Sequence, residues 1–329
     1  TDMLEQRRVG LADVREGVTL LGIGDMTGDT SPELLLIDRA TGTVTLATPQ
    51  LHVLSTFTVP EAFGGYLLED VDGDRKDDLV YVSSDDLFTA AAVNADGRIL
   101  FRTPMFRATD TNLAPRASLD GRLFLRAVTG HMLRPRGIYA LSLPEGSIEY
   151  FYPTAAFPTA VTRIDDAILI STYTPGNGHT LARGDGFIDR DDAMFVHTIR
   201  PDGAVHSMAG PATFGETGGR LTFFAMDSNG DGTDETYATP RRDPTYNPGA
   251  TGIHRLSPDG EAFLVIDGPP DTRTDPFVAS LHGRDWLILN YPKLSRLEVY
   301  SPDFELVDQM QTSGSASITA VELDGPTNE

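Results

Sequence analysis

Apolar residues along this chain come in short runs punctuated by Gly, Pro, Asp and Asn, a pattern that predicts many strands joined by tight turns and excludes long helices. Val18-Thr-Leu-Leu-Gly-Ile23 and Leu34-Leu-Leu-Ile37 bracket one polar segment. Tyr66-Leu-Leu68 and Leu79-Val-Tyr-Val82 bracket a second, and Leu221-Thr-Phe-Phe-Ala-Met226 and Thr236-Tyr237 a third. Elsewhere, turn signals separate strand-like runs at Arg39-Ala-Thr-Gly42, Asn94-Ala-Asp-Gly97, Leu143-Pro-Glu-Gly146, Arg200-Pro-Asp-Gly203 and Ser257-Pro-Asp-Gly260. The expected class is all-β.

The three bracketed segments share one pattern: Asp25-Met-Thr27-Gly-Asp29-Thr-Ser31-Pro-Glu33, Asp70-Val-Asp72-Gly-Asp74-Arg-Lys76-Asp-Asp78 and Asp227-Ser-Asn229-Gly-Asp231-Gly-Thr233-Asp-Glu235. Oxygen-bearing side chains recur at the first, third, fifth and ninth positions, and glycine is always fourth. Calcium takes oxygen ligands of this kind, which assigns side-chain ligation to Asp25, Thr27, Asp29 and Glu33, to Asp70, Asp72, Asp74 and Asp78, and to Asp227, Asn229, Asp231 and Glu235. The backbone carbonyls of Ser31, Lys76 and Thr233 would complete the shells, giving about three Ca2+ sites. An EF-hand is excluded: its twelfth position requires Glu, and here it holds Leu36, Tyr81 and Ala238, with strands where helices belong. The alternative is a metal-free acidic turn, in which Asp and Gly supply only turn geometry.

On these residues the chain resembles the FG-GAP or VCBS repeat family, which includes the propeller domains of integrin α subunits. Phe63-Gly64 precedes the second loop and Phe214-Gly215 the third, matching the Phe-Gly element of that family. The resemblance implies a β-propeller with calcium held between the first two strands of some blades. It also implies a non-catalytic extracellular recognition or adhesion module that binds a glycan or protein through its loops. The middle of the chain departs from the family by lacking the acidic loop.

Asp25 and Asp70 stand one propeller period apart, about 45 residues, and Asp227 follows roughly three periods later, so two blades without the loop belong between. Blades are expected near 18–62, 63–111, 112–157, 158–213, 214–271 and 272–315. Residues 3–17 and 316–329 are expected to close a seventh blade within one domain spanning 1–329. Seven blades is the favoured count and six the alternative.

Composition narrows the partners. A net charge of −22, from 48 acidic against 26 basic residues, disfavours nucleic acid. The chain has no Cys, so disulfides and thiolate chemistry are unavailable, and no apolar run is long enough for membrane insertion. The expected setting is extracellular, cell-surface or periplasmic, as a monomeric domain. Two longer insertions, 173–192 and 240–252, mix aromatic, amide, Gly and charged groups suited to a sugar. The first contains Arg183-Gly184-Asp185, a tripeptide common by chance in a chain of this composition, and the acids Asp185, Asp189, Asp191 and Asp192, whose spacing misses the shared pattern.

Linear catalytic motifs are missing, and His52, His131, His179, His197, His206, His254 and His282 never reach metal-ligand spacing. His197 and His206 are expected to be exposed beside a hairpin, and Trp286 to pack in the core. Arg116, Arg122, Arg126, Arg134 and Arg136 make the most basic stretch, with a solvated face as the leading explanation and docking of an acidic glycan as the other. Two other functions stay open: a polysaccharide-acting enzyme with its site at a central channel, and an architectural spacer of a larger surface protein.

Overall fold

A computed structural model of the chain describes residues 18–59, 63–84, 87–107, 111–129, 135–173, 178–182, 186–209, 220–241, 252–257, 261–269, 274–281 and 284–311. Two compact units divide the chain between Thr154 and Ala155. Blade 1 is β1 (Val18–Gly24), β2 (Glu33–Asp38), β3 (Thr43–Ala47) and β4 (Val53–Thr58). Blade 2 is β5 (Phe63–Glu69), β6 (Asp78–Ser84), β7 (Leu87–Val93) and β8 (Ile99–Arg107). Blade 3 is β9 (Thr111–Leu119), β10 (Arg122–Thr129), β11 (Gly137–Ser142) and β12 (Ile148–Pro153). These three make up the first unit.

In the second unit, blade 4 contains β13 (Phe157–Ile164) and β14 (Ala167–Tyr173), then an inserted pair β15 (Thr180–Ala182) and β16 (Ile188–Arg190), then β17 (Phe195–Ile199) and β18 (Val205–Ala209). Blade 5 is β19 (Arg220–Met226), β20 (Glu235–Arg241), β21 (Ile253–Leu256) and β22 (Ala262–Ile266). Blade 6 is β23 (Asp275–Leu281), β24 (Arg284–Tyr291), β25 (Arg296–Tyr300) and β26 (Leu306–Gln311). Each blade is an antiparallel meander in which sequential neighbours pair, apart from β14, which skips the insertion to pair with β17.

The fold is therefore all-β, a β-propeller with six blades among the described residues, which is the lower of the two counts expected. The segments 3–17 and 316–329, assigned to a seventh blade, lie outside the described residues, as does Phe214-Gly215. The observed sheets fall in the expected blade windows from 18 to 315, except that β9 and β13 each begin one residue early, at Thr111 and Phe157.

Strand character changes with position in the blade. In blades 1 and 2 the second strands read as apolar runs after an acidic first residue because both of their faces are covered: all but the last residue of β2 is buried, and so is all but the last of β6. Along β6 and β7, Leu79, Tyr81, Ala91 and Val93 pack with Leu35, Ile37, Val44 and Leu46 of blade 1. The alternate residues Val80, Val82, Ala90 and Ala92 pack with Leu113, Leu123, Leu125 and Leu141 of blade 3. In the second unit, Phe223 joins Ile164, Met194 and Val196 of blade 4, whereas the adjacent Phe224 joins Leu287, Leu289 and Tyr291 of blade 6. Each of the Val, Leu, Ile, Met and Phe side chains among them contributes about 1.5–3 kcal/mol by burial, and each Ala methyl about 0.8 kcal/mol.

Fourth strands are blade edges that solvent reaches from more than one side, so apolar residues surface there, including Val53, Leu54, Ile99, Ile148, Phe263, Leu264, Leu306 and Val307. Hairpins between third and fourth strands tie neighbours together. Ser55 Oγ donates to Ala95 O at 2.8 Å, and Thr103 Oγ donates to Gly146 O at 2.6 Å. Gly97 and Gly146 both have positive φ, and a Cβ on either would meet the Phe57 or Phe101 side chain at 2.5 or 2.3 Å. Glycine is required at both for two reasons, torsion and space.

Candidate metal centre

Each acidic segment connects the first and second strands of its blade: β1 to β2, β5 to β6 and β19 to β20. Their backbones share an unusual pair of left-handed torsions. The fourth residue has φ of 80°, 80° and 74° at Gly28, Gly73 and Gly230, and the sixth has 68°, 67° and 82° at Thr30, Arg75 and Gly232. Glycine at the fourth position was visible in the sequence. The second left-handed position was hidden, because Thr30 and Arg75 adopt it against their own preference.

These torsions turn backbone N–H groups onto the first carboxylate. Asp25 accepts from Gly28 N at 2.6 Å and Thr30 N at 2.9 Å; Asp70 accepts from Gly73 N at 2.8 Å and Arg75 N at 2.9 Å; Asp227 accepts from Gly230 N at 2.7 Å and Gly232 N at 2.9 Å. The fifth residue closes the turn, as Asp29, Asp74 and Asp231 accept from the N–H groups of Ser31, Lys76 and Thr233. The ninth residue opens the second strand and reaches back into the loop. Glu33 accepts from Met26 N, Thr27 N and Thr27 Oγ, and Asp78 accepts from Val71 N.

The result differs among the three loops. Ligand oxygens of Asp25, Asp29 and Glu33 all lie within 4.8 Å of one another, and so do those of Asp70, Asp72 and Asp78. Asp74 instead faces Lys76 Nζ at 3.7 Å, and the Thr27 hydroxyl is spent as a donor to Glu33. In the third loop, Glu235 is held by Ser228 Oγ at 2.7 Å, Asn229 Nδ2 at 2.6 Å and Arg255 at 3.2 Å, so positive and amide groups already surround it.

Gathering carboxylates on a half-dry surface costs free energy unless a cation is added. Burial, followed by repulsion from Asp72, Asp74 and Asp70, pushes the Asp78 carboxyl up to about 7. Burial also raises Glu33, and Asp77 is raised by burial together with Asp25 and Asp70.

Asp77 and Asp285 escaped the sequence reading because their partners are distant in the chain. Asp77 Oδ2 accepts from Asp25 N at 2.9 Å while Asp77 N donates to Asp25 O at 2.8 Å, so blade 2 orients the first residue of the blade 1 loop. Asp285 of blade 6 does the same for blade 5, accepting from Asp227 N at 3.0 Å while held by Ser280 Oγ at 2.6 Å.

Other candidates resolve differently. His197 is fully buried, contrary to its expected exposure; its Nδ1 lies 2.9 Å from Ser207 Oγ and its Nε2 4.0 Å from the equally buried Asp189. The ring lies on the face of β17 against Asp189 and Phe195, whereas His206 stays exposed. Asp189 ties the insertion to the chain ahead of β13, accepting from Ala155 N, and Asp191 braces the insertion itself, accepting from His179 N, both at 2.9 Å. The Arg183-Gly184-Asp185 tripeptide and most of insertion 240–252 lie outside the described residues. The basic stretch does not act as one face: Arg122 pairs with Glu149 at 2.6 Å and Asp120 at 3.4 Å, Arg126 reaches Asn112, and Arg136 is buried. Arg134 and His131 lie outside the described residues. Trp286 is half-buried on β24.

No family model matches the chain, and no curated protein matches it. Among solved structures it is similar to BBS1N in complex with ARL6DN, at 12% identity and TM-score 0.54, covering 91% of this chain and 82% of that one. A streptogramin B lyase aligns at 10% identity and TM-score 0.51, over 89% of this chain and 83% of the other. Cobalt-substituted ACO from Synechocystis aligns at 12% identity and TM-score 0.51, over 86% and 70%. At such identities the likeness establishes the propeller fold alone.

Proposed function

We propose that this protein is a calcium-braced β-propeller that serves as a non-catalytic recognition module for a glycan or protein at a cell surface or in an extracellular or periplasmic space. The observation that carries the calcium reading is the clustering of three carboxylates in each of the first two loops, with loop backbones sharing the same two left-handed positions. A divalent cation there would be met by Asp25, Asp29 and Glu33 with Thr27 and the Ser31 carbonyl, or by Asp70, Asp72 and Asp78 with the Lys76 carbonyl and with Asp74 turned from Lys76; in the third loop Asp227, Asn229, Asp231, Glu235 and the Thr233 carbonyl take these places. The third loop is the weakest of the set in this reading, because Arg255 competes for Glu235. Recognition is supported by the family resemblance of the loops. A seventh blade shared by 3–17 and 316–329 also belongs to this reading, because Ile318-Thr-Ala-Val321 followed by Glu322 and Asp324 reads like the entry to another acidic loop.

The test is thermal unfolding of the purified chain in calcium, in magnesium and in chelator. Calcium at a hundred times its Kd should stabilise the fold by about 2.7 kcal/mol per site, with magnesium weaker because it demands a stricter octahedron. Identical melts in calcium and chelator, together with no calcium uptake by calorimetry, would remove calcium from the account.

A further inference from the structure

A cavity of about 290 Å³ opens on the outer half of blade 5, lined by Arg255, Leu256, Ser257 and Phe263. Arg255 and Phe263 are directly paired across β21 and β22, so their side chains leave the same face of the sheet. Phe263 is 54% exposed, so its ring is open to a ligand. Leu264, next in sequence, is 56% exposed on the opposite face.

The polar side of the cavity is held in place. The Arg255 guanidinium sits 3.2 Å from Glu235 Oε1, and Glu235 is itself fixed by Ser228 N, Ser228 Oγ and Asn229 Nδ2. Its five N–H donors exceed what one carboxylate oxygen accepts. Ser257 Oγ accepts from Glu261 N at 3.0 Å and donates to Glu261 O at 3.4 Å, which orients it and leaves one lone pair to accept from a ligand hydroxyl. The Phe263 ring, the Arg255 side chain and the Ser257 hydroxyl therefore border one open space of about the size of a single ring.

Charge selects among such ligands. Arg255 is already balanced by Glu235, which shares the Asn229 amide with Asp231, and the whole chain carries −22. A ligand carboxylate would add a further negative charge beside these two. A neutral ring with one apolar face and several hydroxyls meets no such cost, and its C–H face suits the exposed Phe263.

We propose that this cavity is a subsite for one neutral hexopyranose of a glycan, stacked on Phe263 and hydrogen-bonded by Arg255 and Ser257, with Glu235 as the residue that positions the guanidinium. The assignment rests on the reading of the protein as a recognition module. The test is saturation-transfer difference NMR on the full chain with methyl glucoside, galactoside and mannoside, followed by titration of the best binder. At least one should bind through its C–H face. Phe263→Ala should weaken binding about tenfold, equivalent to about 1.4 kcal/mol, while Phe263→Trp retains it and Leu264→Ala matches the parent. Both alanine changes are at exposed positions, and the melting temperature of each variant checks its fold. Absence of transfer to every sugar, or unaltered affinity in Phe263→Ala, overturns the subsite. Calcium is read independently from the melt: a calcium response without sugar binding rejects only the subsite, and sugar binding without a calcium response rejects only the cation reading.

Discussion

At the scale of single residues, the second acidic loop makes the sharpest claim. The Asp78 carboxyl titrates near 7 because burial and then Asp72, Asp74 and Asp70 oppose its ionisation. Its folded value lies above the unfolded one, so in chelator its contribution to stability is complete below about pH 4 and is lost as pH rises through about 7. Glu33 and Asp77 are raised too and act in the same direction. Melting temperature in chelator should therefore fall across this window, and calcium should reverse the trend, since a cation binds the ionised form. Asp78→Asn separates the two effects. It removes the charge while keeping an acceptor for Val71 N, so it should flatten the chelator profile and shrink the calcium response; an unchanged response to both would contradict the clustering argument.

At the scale of elements, the hairpins between third and fourth strands hold neighbouring blades together. Gly97 and Gly203 both close such hairpins with nearly equal torsions, φ of 76° and 79°, but only Gly97 is pressed against a neighbour, Phe57. Gly203→Ala should cost about 1 kcal/mol for the left-handed torsion alone. Gly97→Ala should cost about 1–3 kcal/mol more, because the added methyl must displace the ring. Denaturant unfolding of the two variants decides it, and equal losses would mean the contact with blade 1 contributes nothing. This difference cannot be read from the chain, where Asn94-Ala-Asp-Gly97 and Arg200-Pro-Asp-Gly203 are similar turn signals.

At the scale of the whole molecule, stability is graded across each blade. Second strands such as β2 and β6 are buried on both faces, while fourth strands such as β4 and β26 alternate or lie exposed. Amide hydrogen exchange should follow that gradient: β4, β22 and β26 exchanging first, β2, β6 and β10 last. Uniform protection within a blade would count against it. The gradient also explains why edge residues such as Phe263 can carry a binding role, since changing them leaves the packed second and third strands intact.

The sequence by itself determined the all-β class, the blade windows, the three acidic loops and their place between first and second strands. These are local properties: alternation, turn residues and a repeated spacing appear in any stretch of chain long enough to contain them. Tertiary structure decided which carboxylates converge. It turned Asp74 toward Lys76 and set Arg255 on Glu235. It also brought Asp77 and Asp285 from neighbouring blades to the loops that they orient. It likewise buried His197 and Asp189 together. Each of these depends on groups from different strands or blades meeting in space, and the sheet register that brings them together leaves no mark in the local pattern of residues.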